Sequence, residues 1–218
     1  MCRFLVLGLL IAFPFLVPAA EEKDRPFTFG KDEAGSLPKG WTAAKTGKGE
    51  GSVWKVVADE TAPSKKGHVL AQTAASPKAL FNLCVADDTR FKDLEMTVSF
   101  KPVKGAIDQG GGLVWRYQDA DNYYVARFNP LEGNARLYKV VAGARKQLAT
   151  EEDLKADAGK WHTLTIKMNG DRIECLLNGK KHLEAKDDTF TKAGKVGLWT
   201  KADAQTYFDN FQIQDLGK

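Results

Sequence analysis

Two-residue alternation of apolar and polar side chains dominates residues 93–213 and most constrains how this chain folds. In the clearest run, residues 94–101, apolar Leu94, Met96, Val98 and Phe100 alternate with polar Glu95, Thr97, Ser99 and Lys101. Because successive side chains of a β-strand point to opposite faces, such a run buries one face and exposes the other. About twelve such runs, with only residues 151–158 able to form a short helix, predict an all-β, two-sheet antiparallel jelly-roll sandwich.

The first 19 residues are predicted to be a secretory signal peptide. A basic start at Arg3 is followed by an apolar run over residues 4–17, and small residues then occupy the positions that a signal peptidase reads. The alternative is a membrane anchor, which is disfavoured because the run is short and is broken by Pro14 and Pro18. The protein is therefore expected to be periplasmic or secreted.

What remains after cleavage is predicted to be one domain, residues 27–215, behind a mobile lead-in at residues 20–26. The chain of 218 residues has a formal net charge of +4. That charge is too small to predict a nucleic-acid partner in the absence of a basic stripe with interleaved aromatics. No membrane contact is expected after signal cleavage, and the sequence carries no signal of oligomeric state.

Side chains that commonly carry catalysis are sparse. Cys84 and Cys175 lie in apolar runs, where they form either a disulfide in an oxidising compartment or two buried thiols. No Cys-x-x-Cys motif occurs, and no histidine has the spacing of a zinc ligand. No strand carries the pair of acids that a retaining glycosidase needs, which disfavours a standard glucanase and leaves the catalytic residues unassigned.

The hairpin formed by residues 113–128 carries the richest set of polar and aromatic side chains. Alternation places Tyr123 and Arg127 on the face opposite the core, and Arg116 is expected to stand beside Arg127 across the hairpin. Sugars bind to such surfaces, because a sugar ring stacks on an aromatic face while guanidinium groups bond its hydroxyls. The alternative is an ordinary exposed sheet face with a cross-strand arginine–carboxylate pair.

Two positions near the C-terminus add to these candidates. Trp199 and Lys201 share one face of a predicted strand, where Trp199 forms either a second stacking platform or the cover of a sheet edge, and Lys201 is a further candidate ligand contact. Asp209 lies next to Asn210, where the alternation breaks. A carboxylate beside a β-bulge, together with backbone carbonyls, suits a structural divalent cation such as Ca²⁺.

Several stretches resemble the secreted 3-keto-disaccharide hydrolase family, also described as 3-keto-glucoside lyase/hydratase domains, which have concanavalin A-like jelly rolls. They are Phe91-Lys92-Asp93-Leu94-Glu95, Gly111-Gly112-Leu113-Val114-Trp115-Arg116, Gly159-Lys160-Trp161-His162-Thr163-Leu164, Leu177-Asn178-Gly179-Lys180, Gly194-Lys195-Val196-Gly197-Leu198-Trp199 and Phe208-Asp209-Asn210-Phe211-Gln212-Ile213. The resemblance spans roughly residues 27–213. Its motifs are strand and turn positions, so it is more specific for the fold than for the reaction.

The chain also departs from the family pattern at three places. Of the family's opening Phe-Asn-Gly-Lys-Asp-Leu…Gly-Trp, the chain keeps only Phe29-Gly30-Lys31-Asp32 and, further on, Gly40-Trp41. It has Gln109-Gly110-Gly111-Gly112 where the family usually has Gly-Asn-Ser-Gly, and Leu198-Trp199-Thr200-Lys201 where the family runs into a Gln-x-His-Gly-like segment. The residue carried over is Arg116, which matches the arginine that ends the family's glycine-rich strand.

The resemblance implies that the protein recognises a carbohydrate or glycoside, and three hypotheses follow. In the first, the chain is an enzyme: oxidation at C3 of a sugar acidifies the neighbouring C–H, so that a base eliminates the glycosidic group, aided by a divalent cation. In the second, it is a non-catalytic binding module that uses Arg116, Tyr123, Arg127 and Trp199. In the third, it is a structural envelope protein without a small ligand.

Overall fold

The structure is a computed structural model, and it describes residues 27–217 apart from the side chain of Asp32. The predicted signal peptide and lead-in lie outside this range. Within it, fourteen strands account for the regular structure, together with a 3₁₀ turn at Lys31–Glu33 and no α-helix. None of the described residues form a helix long and apolar enough to span a membrane.

The strands build two antiparallel sheets of seven strands each, as the alternation predicts. The strands are β1 Trp41–Thr46, β2 Trp54–Ala58, β3 His68–Gln72, β4 Phe81–Ala86, β5 Leu94–Lys104, β6 Gly111–Asp119, β7 Asn122–Asn129, β8 Asn134–Val141, β9 Ala144–Glu151, β10 His162–Asn169, β11 Arg172–Leu177, β12 Lys180–Lys186, β13 Lys195–Lys201 and β14 Gln205–Asp215. We call the sheet with strand order β1-β4-β13-β6-β7-β8-β9 the front sheet. The back sheet has the order β12-β11-β10-β5-β14-β3-β2.

Two local expectations from the sequence differ from the structure. β1 is not among the predicted strands, because only its end residues Trp41 and Thr46 are buried and the alternation is lost between them. The helix expected over residues 151–158 is wrong. Glu151 is the last residue of β9. The Leu154 N–H donates to the Gly133 carbonyl at 2.8 Å, so this hydrogen bond is made to another segment and not within a helix.

The front sheet is strongly rolled, and its outer face is concave. The Cζ atom of Arg145 on β9 lies 5.1 Å from the ring centre of Phe81 on β4, although β13, β6, β7 and β8 lie between these strands. In a flat sheet with strands ~4.8 Å apart, β9 and β4 would be about 24 Å apart. The Thr46 hydroxyl on β1 likewise lies 2.8 Å from the Tyr123 hydroxyl on β7. This roll brings side chains from distant strands together on the outer surface, which we call the concave face.

Cys84 and Cys175, the two cysteines within residues 27–217, form no disulfide. Cys84 on β4 enters the core from the front sheet and Cys175 on β11 enters it from the back sheet, and both thiols are free and buried. Burial raises the pKa of both, that of Cys175 to about 12. Of the two alternatives left open by the sequence, the structure has the buried thiols, which act as small apolar side chains.

The loop that follows β12 closes one end of the core. Asp187 accepts hydrogen bonds from the Tyr124 hydroxyl and from Lys139 Nζ, each at 2.6 Å. Phe190 packs edge-on against the Tyr124 ring, with 5.0 Å between ring centres. Burial by itself raises the pKa of Asp187, but the hydrogen bonds from Lys139, Tyr124 and Thr189 outweigh it and lower that pKa to about 2. The charged carboxylate therefore holds this loop on the front sheet.

Replacing Asp187 with asparagine is expected to lower the free energy of unfolding by about 2 kcal/mol at neutral pH. A lowered pKa means that the folded chain favours the charged carboxylate more than the unfolded chain does. The contribution is therefore complete above the ordinary pKa of 3.8 and is lost as the pH falls toward about 2. Urea denaturation between these pH values measures the effect, with exposed Asp188→Asn as the control. Identical pH dependence in the two variants would contradict the assignment.

Candidate ligand-binding site on the concave face

One row of paired residues crosses the concave face and contains three of its largest polar and aromatic side chains. Trp199 on β13 pairs with Gly112 on β6, Gly112 with Arg127 on β7, and Arg127 with Arg136 on β8. Because paired residues of neighbouring strands point to the same side of a sheet, all their side chains lie on the concave face. Lys201 follows Trp199 by two residues on β13, and its Nζ atom donates a hydrogen bond to Asp108.

An apolar cluster forms the floor beneath this row. Its members come from five strands of the front sheet and are Phe81, Leu83, Val85, Val114, Tyr123, Val125, Tyr138, Val140 and Trp199. Tyr123 is fully buried and Trp199 is 1% exposed. The expectation that these two rings offer free stacking surfaces for a sugar is wrong, because the roll of the sheet packs them against their neighbours. Both rings support the face from below.

Three carboxylates lie beside the arginines and Lys201 of this face, and all three come from outside the strands. Asp108 belongs to the loop between β5 and β6, Glu132 to the turn between β7 and β8, and Glu152 directly follows β9. The first loop is held by Asp203, whose carboxylate accepts the backbone N–H groups of residues 106–108 at 2.8 to 3.1 Å. Strand alternation carries no information about such positions.

Asp108 is a nearly buried carboxylate beside the cationic side chains. Its Oδ2 atom accepts a hydrogen bond from Lys201 Nζ at 3.0 Å, and its Oδ1 atom accepts one from the Asn129 side-chain amide at 3.0 Å. Burial raises the pKa of Asp108, and the positive charges of Lys201 and Arg127 only partly oppose that rise. A carboxyl group with a raised pKa next to a cation is suited to accepting a proton.

Two arginines share the remaining carboxylates. Arg127 is 2% exposed, and its Nη2 atom donates to Glu132 at 2.7 Å while its Nη1 atom donates to the Asn134 carbonyl at 3.3 Å. Arg136 lies 3.5 Å from Glu132 and 3.3 Å from Glu152, with 27% of its side chain exposed. Burial by itself raises the pKa of Glu132, but the Arg127 guanidinium outweighs this and lowers it. These pairs fix the orientation of both guanidinium groups.

Arg145 on β9 spans the concave face without a carboxylate partner. Its guanidinium lies 4.2 Å from the ring centre of Tyr138 and 5.1 Å from that of Phe81. Such cation–π contacts position a guanidinium without neutralising its charge. Burial lowers the pKa of Arg145, and the nearby positive charge of Arg127 lowers it further, against an opposing effect of Tyr138. Arg145 is thus an uncompensated cation among residues 27–217.

Four buried N–H donors on this face have no hydrogen-bond acceptor among the described residues. They are Arg127 Nε, Arg136 Nε, Arg145 Nη1 and Trp199 Nε1. The Trp199 indole lies beside the Tyr123 hydroxyl, yet its N–H does not reach hydrogen-bonding geometry with it. Leaving a buried donor unpaired costs about 1–3 kcal/mol, and most buried polar groups are satisfied. Four such donors therefore lie close together on this face without a partner from residues 27–217.

Arg116 does not lie on the concave face, and the prediction that it stands beside Arg127 is wrong. Its φ of 45° and a register shift between Trp115 and Asp119 show a β-bulge that turns the side chain away. The guanidinium is 1% exposed, and its Nε, Nη1 and Nη2 atoms all donate to residues outside the front sheet. It therefore has a structural role and is not available to a ligand.

Asp209 lies on the back sheet, beside the predicted bulge. A register shift occurs between Asp209 and Gln212, and Asn210 has a φ of 48°. The Oδ2 atom accepts the Ser64 N–H at 2.8 Å, while the buried Oδ1 atom has no partner among the described residues. Within residues 27–217 no group of three or more His, Cys, Asp or Glu side chains is arranged to hold a metal. Calcium binding at Asp209, through this oxygen and backbone carbonyls, stays a prediction.

Sequence reasoning missed several residues that the structure brings to the site. Arg136 could have been predicted from the sequence. It lies two residues before Tyr138 on β8, so both side chains point to the same face, and a tight turn connects β8 to β7. Predicting Arg145 would have required the register of the next hairpin, in which it pairs with Val140. Asp108 carried no signal, since a loop residue has no periodicity.

Two curved antiparallel sheets with a concave face lined by aromatic and charged side chains define a lectin-like jelly roll. The chain belongs to the family of 3-keto-alpha-glucoside-1,2-lyase-like domains, whose profile matches residues 30–214. The resemblance drawn from its strand and turn motifs is confirmed. No curated protein matches the chain in sequence.

Solved structures with the same architecture include sugar-binding and glycosidase-related proteins. The carbohydrate-binding module CBM66 from Bacillus subtilis superposes with a TM-score of 0.64 at 19% identity, covering 81% of this chain and 96% of that chain. A putative glycosyl hydrolase from Parabacteroides distasonis has a TM-score of 0.52 at 15% identity, covering 82% and 89%. The exoplasmic/lumenal domain of VIP36, in a Ca²⁺- and mannose-bound form, has a TM-score of 0.58 at 11% identity, covering 91% of each chain. At these identities the similarity shows the fold alone.

Proposed function

We propose that this protein binds a carbohydrate or glycoside on its concave face, with Arg136, Arg145 and Lys201 contacting the ligand and the buried Arg127 supporting the face beside Arg136. The observation that carries the proposal is the convergence of unpartnered N–H donors on one face. Sugars present many hydroxyl and ring oxygens, which are acceptors for such donors. Carbohydrate binding by proteins of the same fold supports a sugar ligand, and the signal-like N-terminus supports action outside the cytoplasm.

Replacing Arg136 with alanine is expected to weaken carbohydrate binding by about tenfold or more, because truncating a hydrogen-bonded charge at a binding surface costs several kcal/mol. Arg136 is the most accessible member of the paired row, so its removal disturbs the fold least. A glycan array identifies ligands for the wild type, and calorimetry then compares affinities.

Arg172→Ala is the control for this experiment, since Arg172 lies on the back sheet with 57% of its side chain exposed. It should bind as the wild type does. Failure of the wild type to bind any glycan, or equal affinity in Arg136→Ala and Arg172→Ala, would contradict the proposal.

A second candidate function is cleavage of a 3-keto glycoside, and Asp108 is the residue that favours it. A keto group at C3 acidifies the adjacent C–H, and removal of that proton by a base allows the glycosidic oxygen to leave. Asp108 combines a raised pKa, a neighbouring Lys201 and a position fixed by Asp203. In this role Asp108 accepts the proton and Lys201 keeps the carboxylate ionised before the substrate binds.

Asp108→Asn is expected to reduce turnover of 3-keto-disaccharides by at least about a hundredfold, since general-base catalysis contributes 10²–10⁴-fold. The activity of the wild type should increase with pH through an apparent pKa above the ordinary 3.8 of aspartate, because the carboxylate form is the base. Chromatography of released sugar, with and without a chelator, measures this, with exposed Asp171→Asn as control. Glycan binding without any turnover would instead identify a binding module. The absence of both binding and turnover would indicate a structural protein.

A further inference from the structure

The charges around Arg145 do not pair completely. Of the described residues, Arg127, Arg136 and Lys201 lie near it together with three carboxylates, Asp108, Glu132 and Glu152. Lys201 is paired with Asp108, Arg127 with Glu132, and Arg136 with Glu152. The cation left over is Arg145, which is partly buried and is held between aromatic rings.

The unpartnered groups on this face are also of one kind. Arg127 Nε, Arg136 Nε, Arg145 Nη1 and Trp199 Nε1 are all N–H donors, and the only other unpartnered buried side-chain atom among the described residues, Asp209 Oδ1, lies on the back sheet. A neutral sugar hydroxyl accepts hydrogen bonds but also brings a donor that needs its own acceptor. A carboxylate accepts several hydrogen bonds, brings no donor, and supplies the missing negative charge.

Building on the proposed function, we infer that the concave face selects an acidic saccharide, whose ring carboxylate binds against the guanidinium of Arg145. The planar fork of a guanidinium matches a carboxylate with two parallel hydrogen bonds, and Tyr138 and Phe81 hold that fork in place before the ligand arrives. Neutral parts of the saccharide then contact Arg136, which is 27% exposed. Because the new ion pair is partly withdrawn from water, salt should weaken it only moderately.

Paired ligands that differ only in charge test this inference. We would measure calorimetric affinities for oligogalacturonates, oligomannuronates and methyl glucuronide, each beside its neutral methyl ester, together with the neutral ligands found on the glycan array. The wild type should prefer at least one acid over its own ester by about tenfold, the effect of one charge-assisted contact. In Arg145→Gln, which keeps amide donors but no charge, the preference for the acid over its own ester should fall to about twofold or less.

Two further variants exclude trivial explanations. Arg145→Lys keeps the charge without the fork and should retain part of the acid preference, and Arg172→Gln on the back sheet should retain all of it. Melting temperatures report whether each variant is folded. Equal binding of acids and esters, a preference that survives Arg145→Gln, or binding of neutral glycans only would each overturn the inference and leave the proposed function standing. Absence of binding to every saccharide would overturn both.

Discussion

Arg116→Ala is expected to lower the free energy of unfolding by about 3–5 kcal/mol, the range for removing one partner of a buried, hydrogen-bonded ion pair. The guanidinium of Arg116 donates to the Lys92 carbonyl at 2.8 Å, the Phe190 carbonyl at 2.6 Å, the Gly170 carbonyl at 2.8 Å and Asp93 Oδ1 at 3.1 Å. These partners belong to three separate segments, so one side chain ties the end of β6 to the back sheet and to the loop before β13. Its loss leaves several acceptors unpaired at once.

Urea denaturation measures the effect of this substitution. Arg116→Lys keeps the charge but offers no fork and should be intermediate, at about 2 kcal/mol, whereas exposed Arg172→Ala should change stability by less than about 0.5 kcal/mol. If Arg116→Ala were instead as stable as Arg172→Ala and bound no saccharide, Arg116 would be a ligand contact after all and the present assignment would fail.

Gly110→Ala is the second substitution expected to have a large effect, at about 3 kcal/mol or more. Gly110 has a φ of 155°, and a Cβ atom there would lie 2.0 Å from the Phe128 carbonyl oxygen and 3.0 Å from the Asn129 Cα atom. Both are backbone atoms of β7, which cannot move without disrupting the pairing of β6 with β7. The residue also follows the loop that carries Asp108, so ligand binding should weaken along with stability.

Gly170→Ala separates the two causes of this effect. Gly170 has a φ of 62° with open space around it, so alanine there meets a conformational penalty of about 1–2 kcal/mol and no collision. Thermal and urea denaturation compare the two variants. Equal destabilisation would show that β7 does not approach Gly110 as closely as described.

The sequence determined the sandwich and the direction of most strand side chains. Alternation alone placed Tyr124, Ala126 and Phe128 in the core and put Tyr123 and Arg127 on the opposite face, as the structure has them. Alternation also predicted that Trp199 and Lys201 lie on the same face of β13. Side-chain direction in a strand is a local property with a period of two residues, so it can be read without knowing which strands are neighbours.

Only the tertiary structure decided which of these side chains form a site. The register pairs Arg127 with Gly112, four residues from Arg116 along β6. The bulge then turns Arg116 off the face, because β6 has two more residues than β7 between the Trp115 and Asp119 pairs. The roll of the front sheet buries Trp199 and carries Arg145 across to Phe81, and loops bring in Asp108. Register, curvature and loop closure arise from contacts between residues far apart in the chain, and no local pattern in the sequence encodes such contacts.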